Sequence, residues 1–590
     1  MELPEVVTYV DGPVAEQRQV LTAEEIERMH VCDLPEVLES CGVQMLSYGP
    51  YGLEQKPSIR GSTDETVRVV IDGICVNNAQ YGSFDFSSIS VADIERLEIV
   101  RGGFTEGVSD EGAVGGVIYI STKKQSLGHH FTSDSSIKSY FNSYLPFDTF
   151  SQQLGYSGQL SDNDFLKLNL KGVFANNRFL FLNYQNRLKE RLDSEVVDGT
   201  SNVSYSHFFD GGNCLTVSDL FYAGNKNCPG TETSTTVGVQ KDIDNNVTVS
   251  LINPELGGIV RLENNFAWLC NNRFYSEPGS AESKHYVNTF KYAGYADFYA
   301  LKNIRQNAGL TFDITNLDST NSGKHTHFSG TFKETTKIQF SRIFSMSVPF
   351  AFKFDNKNTA VIPKLGFKAA FGYFDIMLDG YRMIQFPILQ DLYWEGAGFH
   401  GNPDLKPEQG WGAELTFDVH RFIVPFSVCF YTNYYESKIK WVGNTTQNVA
   451  SAFYFGIDFN SQKSFFNDRL ILRGNVEYLY TELLDKNNKY EYGKRIMWTP
   501  DFTASLVVIG KLPFVNCVLE CNYIGKRYTD NMNLFSLNPY FLMNLSAEYT
   551  CFEHVTPYLR FENLLNQDYE AVENYPMPGI SITMGAKLSF

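Results

Sequence analysis

The sequence predicts an all-β membrane protein: a 22-stranded antiparallel transmembrane β-barrel preceded by a small α+β domain. Three observations point there. After about Lys124, segments of roughly ten residues alternate apolar and polar, separated by Asn/Asp/Gly clusters. No run of about 18 apolar residues occurs, which excludes a transmembrane helix but not a barrel, whose strands alternate. The aromatic share is 15%, led by Tyr and Phe, as rings at two membrane interfaces would give. A soluble sandwich alternates too, with its apolar face inside, and periodicity alone does not separate the two.

The elements follow in chain order. Residues 1–20 read as a flexible segment, with Pro4, Gly12 and Pro13 and little periodicity. Inside it, Glu5-Val6-Val7-Thr8-Tyr9-Val10 is an extended run able to add a strand to a partner's sheet edge. Residues 21–124 read as a compact domain. Thr22-Ala23-Glu24-Glu25 has capping-box spacing, and Asp33 can cap a helix over Leu34–Ser40. Residues 42–45 start a sheet, 48–52 and 77–82 are loops, and Ser90-Val91-Ala92-Asp93 spans one helical turn. Val67, Val69 and Ile71 alternate as one strand, and Leu97, Ile99 and Val100 form another. Gly112-Ala113-Val114-Gly115-Gly116 would suit a dinucleotide loop only if a helix followed. Strand-like Val117-Ile118-Tyr119-Ile120 follows instead, so these glycines serve tight turns and close packing.

Within 165–171, Leu166, Leu168 and Leu170 alternate with Lys167, Asn169 and Lys171. Farther on, Leu470, Leu472, Val476, Tyr478 and Tyr480 lie opposite Arg473, Asn475, Glu477 and Thr481. One such face suits lipid and the other a polar lumen. The roughly 465 residues from 125 to 590, at about 21 per strand and connection, give roughly 22 strands.

Four motifs occur in fixed order: Ser58-Ile59-Arg60-Gly61, Val69-Val70-Ile71-Asp72-Gly73, Ile94-Glu95-Arg96-Leu97-Glu98-Ile99-Val100-Arg101-Gly102, and Gly112 through Lys123. Together they resemble the plug domain of TonB-dependent outer-membrane transporters. Two departures stand out. Gly103 replaces the family's usual Pro, and residues 105–111 replace its aromatic-Gly step. Residues 401–408 (Gly-Asn-Pro-Asp-Leu-Lys-Pro-Glu) resemble the family's loop-to-strand motif. Residues 561–569 resemble its penultimate-strand motif, and terminal Phe590 its C-terminal signal. Residues 125–390 carry barrel texture without a nameable motif.

The resemblance implies a plug (21–124) inside the lumen of a barrel (125–590) in the cell outer membrane. It implies active transport of a scarce nutrient, driven by the TonB protein with its ExbB and ExbD energy complex. Glu5, Val6, Val7, Thr8, Tyr9 and Val10 would form the TonB box. Tyr48, Tyr51, Asn77, Asn78 and Tyr81 would meet the ligand, as their rings and amides suit a polar molecule. Arg60 and Arg101 would pair with barrel-wall carboxylates and couple plug to barrel. The style of the plug and the short barrel look most like the cobalamin branch. A ferric-siderophore or haem receptor is the alternative, and a passive porin or adhesin the different class. A monomer in outer-membrane lipid is expected, with room for a surface lipoprotein.

The net charge of −18 argues against a nucleic-acid binder. Acidic loops are suited to Ca2+. The ten cysteines follow no zinc spacing. Cys517 and Cys521 share one strand face as small apolar groups, while Cys214–Cys228 and Cys32–Cys41 are candidate disulfide pairs. No Ser/His/Asp set is recognisable, so no enzyme is expected. His325 and His327 are too few for a structural metal site. His129-His130 reads as interfacial. The family's haem receptors carry a histidine near the position of His400, so the resemblance implies a candidate haem ligand there, although their upstream box is not recognisable in this sequence. Met1-Glu2-Leu3-Pro4 lacks a signal-peptide pattern, so an outer-membrane reading expects a trimmed or re-started chain.

Overall fold

The computed structural model describes residues 18–102, 114–124, 126–234, 236–301, 303–486, 488–550 and 552–590. Among these, 22 antiparallel strands close into one barrel. The first, His129–Tyr140, pairs with the last, Ser581–Ser589, with Ser581 opposite Tyr140. Closure leaves no unpaired edge, as hydrocarbon requires. Connections at one end are short, such as 257–259 and 466–469; at the other end lie long loops, including 386–407 and 563–580.

The alternation resolves into two faces. On the strand Asp164–Ala175, Lys167 and Asn169 are 6% and 4% exposed, facing inward, whereas Leu170 and Phe174 are 42% and 45% exposed. Polar groups inside and apolar groups outside are the reverse of a soluble sandwich. Arg473, Asn475 and Glu477 likewise point inward from Leu470–Leu483.

The plug fills the lumen. Its main sheet has five strands in the order β1 (Arg18–Thr22), β6 (Ile94–Arg101), β7 (Gly116–Thr122), β4 (Val67–Ile71) and β5 (Ile74–Cys75). β2 (Gln44–Ser47) and β3 (Gln55–Ser58) form a separate hairpin, so residues 42–45 do not open the main sheet as expected. β1 is an edge strand in register with β6, Arg18 opposite Val100. The segment expected to be flexible through residue 20 is therefore already sheet at Arg18. Its Leu21, opposite Leu97, joins the apolar face of β6, a single position too short to show a period in isolation. The TonB-box residues 5–10 and the departures at 103–111 lie outside the described residues.

Two short helices follow β1. Thr22 and Glu25 form the full capping box of α1 (Ala23–Glu27). Asp33 takes the N-cap position of α2 (Leu34–Ser40), but its carboxylate makes no capping hydrogen bond. Leu34, Val37, Leu38, Ile26 and Met29 are buried in one core with β4, β6 and β7.

Both candidate disulfides are absent, since Cys32, Cys41, Cys214 and Cys228 are free thiols. Cys214 and Cys228 are the two ends of one strand, Cys214–Cys228, and so lie far beyond disulfide reach. Cys32 packs near Tyr51 and Leu53, while Cys41 is buried in the plug core on the other side of α2.

Candidate functional site

The plug meets the wall through apolar contacts, where Ile471, Val507, Ile509 and Val518 join the plug core, and through ion pairs. Arg60 sits just after β3 in a turn where Arg60 and Gly61 take φ of 53° and 71°. Gly61 is required, because a Cβ there would also lie 2.9 Å from Thr499 Cγ2. The turn aims Arg60 at the wall. Its Nη2 lies 2.7 Å from Asp458 Oδ2 and its Nη1 2.8 Å from Glu414 Oε1. The guanidinium stacks 3.9 Å from the Tyr431 ring centroid.

Arg101 behaves differently. It donates to the Cys41 carbonyl at 2.7 Å and to Gln19 at 3.3 Å, both inside the plug. The expected wall carboxylate is not among its hydrogen-bond partners. Cys41 is the C-cap of α2, whose terminal carbonyls lack helical partners, and a cation suits that end.

Elsewhere the plug supplies acids and the wall bases. Glu25 pairs with Arg473, and Glu27 with Lys587 and with Lys123 of the plug. Glu36 lies 3.0 Å from Arg560, Asp93 2.6 Å from Lys167 and Asp85 2.5 Å from Lys226. His30 reverses the sense, 3.0 Å from Glu548, with its ring stacked 3.9 Å from Tyr558.

At the long-loop end, a cleft of about 270 Å³ opens between plug and wall. Tyr48 meets Tyr575 edge-on at 4.9 Å on its rim. The floor is a charge chain. Lys226 bridges plug Asp85 and wall Asp242, and Arg273 Nε reaches Asp242 at 2.8 Å. Burial pushes the Asp85 carboxyl up, but the Lys226 ammonium outweighs it and holds Asp85 below the ordinary carboxylate range. Lys56 pairs with Glu54 at 3.2 Å. Each of the cleft's cations Lys56, Lys226 and Arg273 thus has a carboxylate partner.

Of the five predicted loop residues, Tyr48 lines this cleft. Tyr81 lines a small neighbouring cavity, between Arg273 at 5.2 Å and His285 at 5.7 Å. The other three serve the fold. Tyr51 is buried and donates to Asp198 at 3.0 Å. Asn77 is buried, accepting from Val69 N and donating to the Val67 and Gly82 carbonyls at 2.8–2.9 Å. Asn78 accepts from Gln80 N and Tyr81 N, closing its turn. An exposed-looking loop in sequence is here folded back on itself.

Sequence reasoning missed Gln80. It is fully buried, and its Nε2 lies 3.1 Å from His285 Nδ1 and 3.3 Å from Ser322 Oγ. The loop 386–407 covers it, Gln390 N donating to the Gln80 carbonyl at 3.0 Å. Within the predicted 401–408 motif, Gly401 lets that loop fold inward, since a Cβ there would lie 2.7 Å from Leu392 C and Tyr393 N. The motif's Asn402 donates to the Thr446 carbonyl, and Leu405 packs on Leu389 and Leu392. Lys226, Asp242 and Arg273 were also missed; their strands signal only that alternate residues face the lumen.

The histidines assemble no centre. His325 stacks on Tyr393 at 3.7 Å, His327 faces Asp355 at 3.8 Å, and exposed His400 pairs with Glu395. Among the described residues, no group of three or more His, Cys, Asp or Glu side chains is placed to hold a metal ion.

The TonB-dependent receptor plug domain family matches residues 13–117, and the TonB-dependent receptor-like β-barrel family matches residues 103–564. The vitamin B12 transporter BtuB of Photobacterium profundum is 23% identical, over 94% of this chain and 89% of that protein. The Vibrio cholerae vitamin B12 transporter BtuB is 22% identical, over 95% and 90%. Among solved structures, a mutant ferric enterobactin receptor PfeA from Pseudomonas aeruginosa superposes with a TM-score of 0.82 at 14% identity, covering 97% of this chain and 98% of that one. The FrpB iron transporter from Neisseria meningitidis gives 0.81 at 11% identity, covering 97% and 99%.

Proposed function

This chain belongs to the TonB-dependent receptor family, and from that premise we propose that its cargo is a corrinoid such as cobalamin. The coarser function follows from the family: a non-enzymatic outer-membrane transporter that imports a nutrient using TonB.

The observation that carries the corrinoid reading is the charge balance of the cleft. A strongly anionic ferric siderophore calls for cations left free to meet it. Here Lys56, Lys226 and Arg273 are already engaged by Glu54, Asp85 and Asp242. What remains on the rim is aromatic, Tyr48 and Tyr575, suited to a large ligand of low net charge. The names of the sequence relatives support the same reading. The siderophore and iron receptors resemble this chain at identities that speak for fold alone.

The mechanism we propose has two ends. Ligand binds in the cleft at the long-loop end, outside the cell. An outer membrane holds no ATP, so the work of opening the plug is imported from the short-turn end. TonB pairs with the segment 5–10, which lies shortly before edge strand β1, and pulling it loads the plug sheet directly. Ligand must bias exposure of that segment, which is a coupling between two sites. The Arg60 pair with Asp458 and Glu414 holds the plug until it is pulled.

Direct titration of the purified full chain with cyanocobalamin and with ferric siderophores tests the cargo. Sub-micromolar binding of the corrinoid is expected. Siderophore binding without corrinoid binding at micromolar levels would overturn it.

A further inference from the structure

Helix α2 carries more carboxylates to the wall than the wall neutralises. The plug contributes Asp33, Glu36 and Glu39, and the wall adds Glu520 and Glu562. Against these five acids stand Arg560, Lys138 and Lys171. Arg560 is shared among three carboxylates. Its Nη1 and Nη2 each lie 3.0 Å from a Glu520 oxygen, Nη2 also 3.0 Å from Glu36, and Nε 3.3 Å from Glu562. Nη1 donates to the Met29 carbonyl as well. Lys138 is taken by Glu562. Lys171 donates at 2.6 Å to the Cys32 carbonyl.

The wall side of the contact is closed in, whereas Glu36 and Glu39 are half-buried. Arg560 and Glu520 are each 1% exposed and Asp33 is 6% exposed. Asp33 Oδ1 has no hydrogen-bond partner. At the C-cap of α2, Arg101 donates to the Cys41 carbonyl and adds one positive charge, while Arg473 is paired with Glu25. The remaining titratable neighbours are neutral. Tyr540 and Tyr569 adjoin Glu39, and Tyr140 adjoins Lys138 and Glu36. Burial pushes the Cys32 thiol up to about 12, which keeps it neutral. With Arg101 counted, one negative charge stays in excess, which is costly in such a place unless a proton is taken up.

We propose that the seated plug holds at least one proton on the Asp33, Glu36 and Glu39 face of α2 and releases it when α2 leaves the wall, so that plug seating is proton-linked. This rests on the reading of the plug as a movable stopper, although its test needs only the resting protein. The electrostatics agree. Burial first, then the charges of Asp33 and Glu520, push Glu39 up to about 8. Burial and Glu562 push Glu36 well above the carboxylate range. The seated state then binds more protons than the displaced state. Seating is strongest at or below the ordinary carboxylate range and weakens as pH rises toward about 8.

Amide hydrogen exchange on the purified full chain tests this, corrected for intrinsic base catalysis, at about pH 6 and about pH 8.5. We expect α2 protection to fall by about tenfold or more across that interval while β7 stays constant. E39Q, which leaves the Arg560–Glu36 pair in place, and E36Q/E39Q should flatten the response. Protection of α2 that does not change with pH, Gln variants that fall in parallel with the parent, or an equal fall in β7 would each overturn the proposal. None of these outcomes depends on which ligand binds.

Discussion

Arg60 of the plug and Asp458 of the barrel wall meet at 2.7 Å, with side chains 2% and 0% exposed. Nearly four hundred residues of sequence separate them, yet they form one of the most enclosed ties between the two domains. Removing the arginine alone strands Asp458 and Glu414 beside each other. R60A should destabilise plug seating by about 3–5 kcal/mol, read as a lower denaturant midpoint for protease cleavage of the plug. The R60M/E414Q/D458N triple variant should recover most of that loss, because no buried charge is then left unpaired.

The edge-on pair of Tyr48 and Tyr575 gives a prediction about affinity rather than stability. Y48A should weaken cyanocobalamin binding by about tenfold, roughly 1.4 kcal/mol, in calorimetric titration. The denaturant midpoint should barely move, since Tyr48 is only half-buried.

Asn77 should show the opposite pattern. Its amide satisfies Val69 N and two backbone carbonyls in a buried loop. N77A should cost about 2–4 kcal/mol of plug stability by leaving those groups unpaired. Affinity measured on the folded fraction should change much less.

Helix α1 has its own pH response, opposite in sense to that of α2. Burial pushes Glu27 up, but the Lys587 and Lys123 ammonium groups outweigh it and hold its carboxyl at about 2. A depressed carboxyl stabilises above its ordinary pKa and loses that contribution as pH falls toward about 2. Protection of the α1 amides, corrected for the intrinsic exchange rate, should therefore fall on acidification below about pH 4.5, and E27Q should remove the acid response.

Much of this architecture is legible in the chain. The alternation of Lys167, Asn169 and Lys171 with Leu166, Leu168 and Leu170 gives both faces of a barrel strand, and the capping box at Thr22 gives the start of α1. The plug motifs place Arg60 in the turn that aims it at the wall. The partners are not legible, because Glu414 and Asp458 become neighbours only through the register of three successive strands. Asn77 and Tyr51 look like exposed loop groups in sequence, and only the fold shows them consumed by backbone and by Asp198. Gln80 and the Lys226–Asp242–Arg273 chain carry no local signal, since any polar residue at a lumen position reads the same. The strand at Arg18 is missed because five edge residues hold no period of their own.

The most direct test of the central claim is accumulation of labelled cyanocobalamin by cells whose only corrinoid receptor is this protein, with and without residues 1–12. The account predicts equal surface binding by both forms and energy-dependent accumulation by the full chain alone. Equal accumulation by the shortened chain, or accumulation that survives loss of TonB, would contradict it.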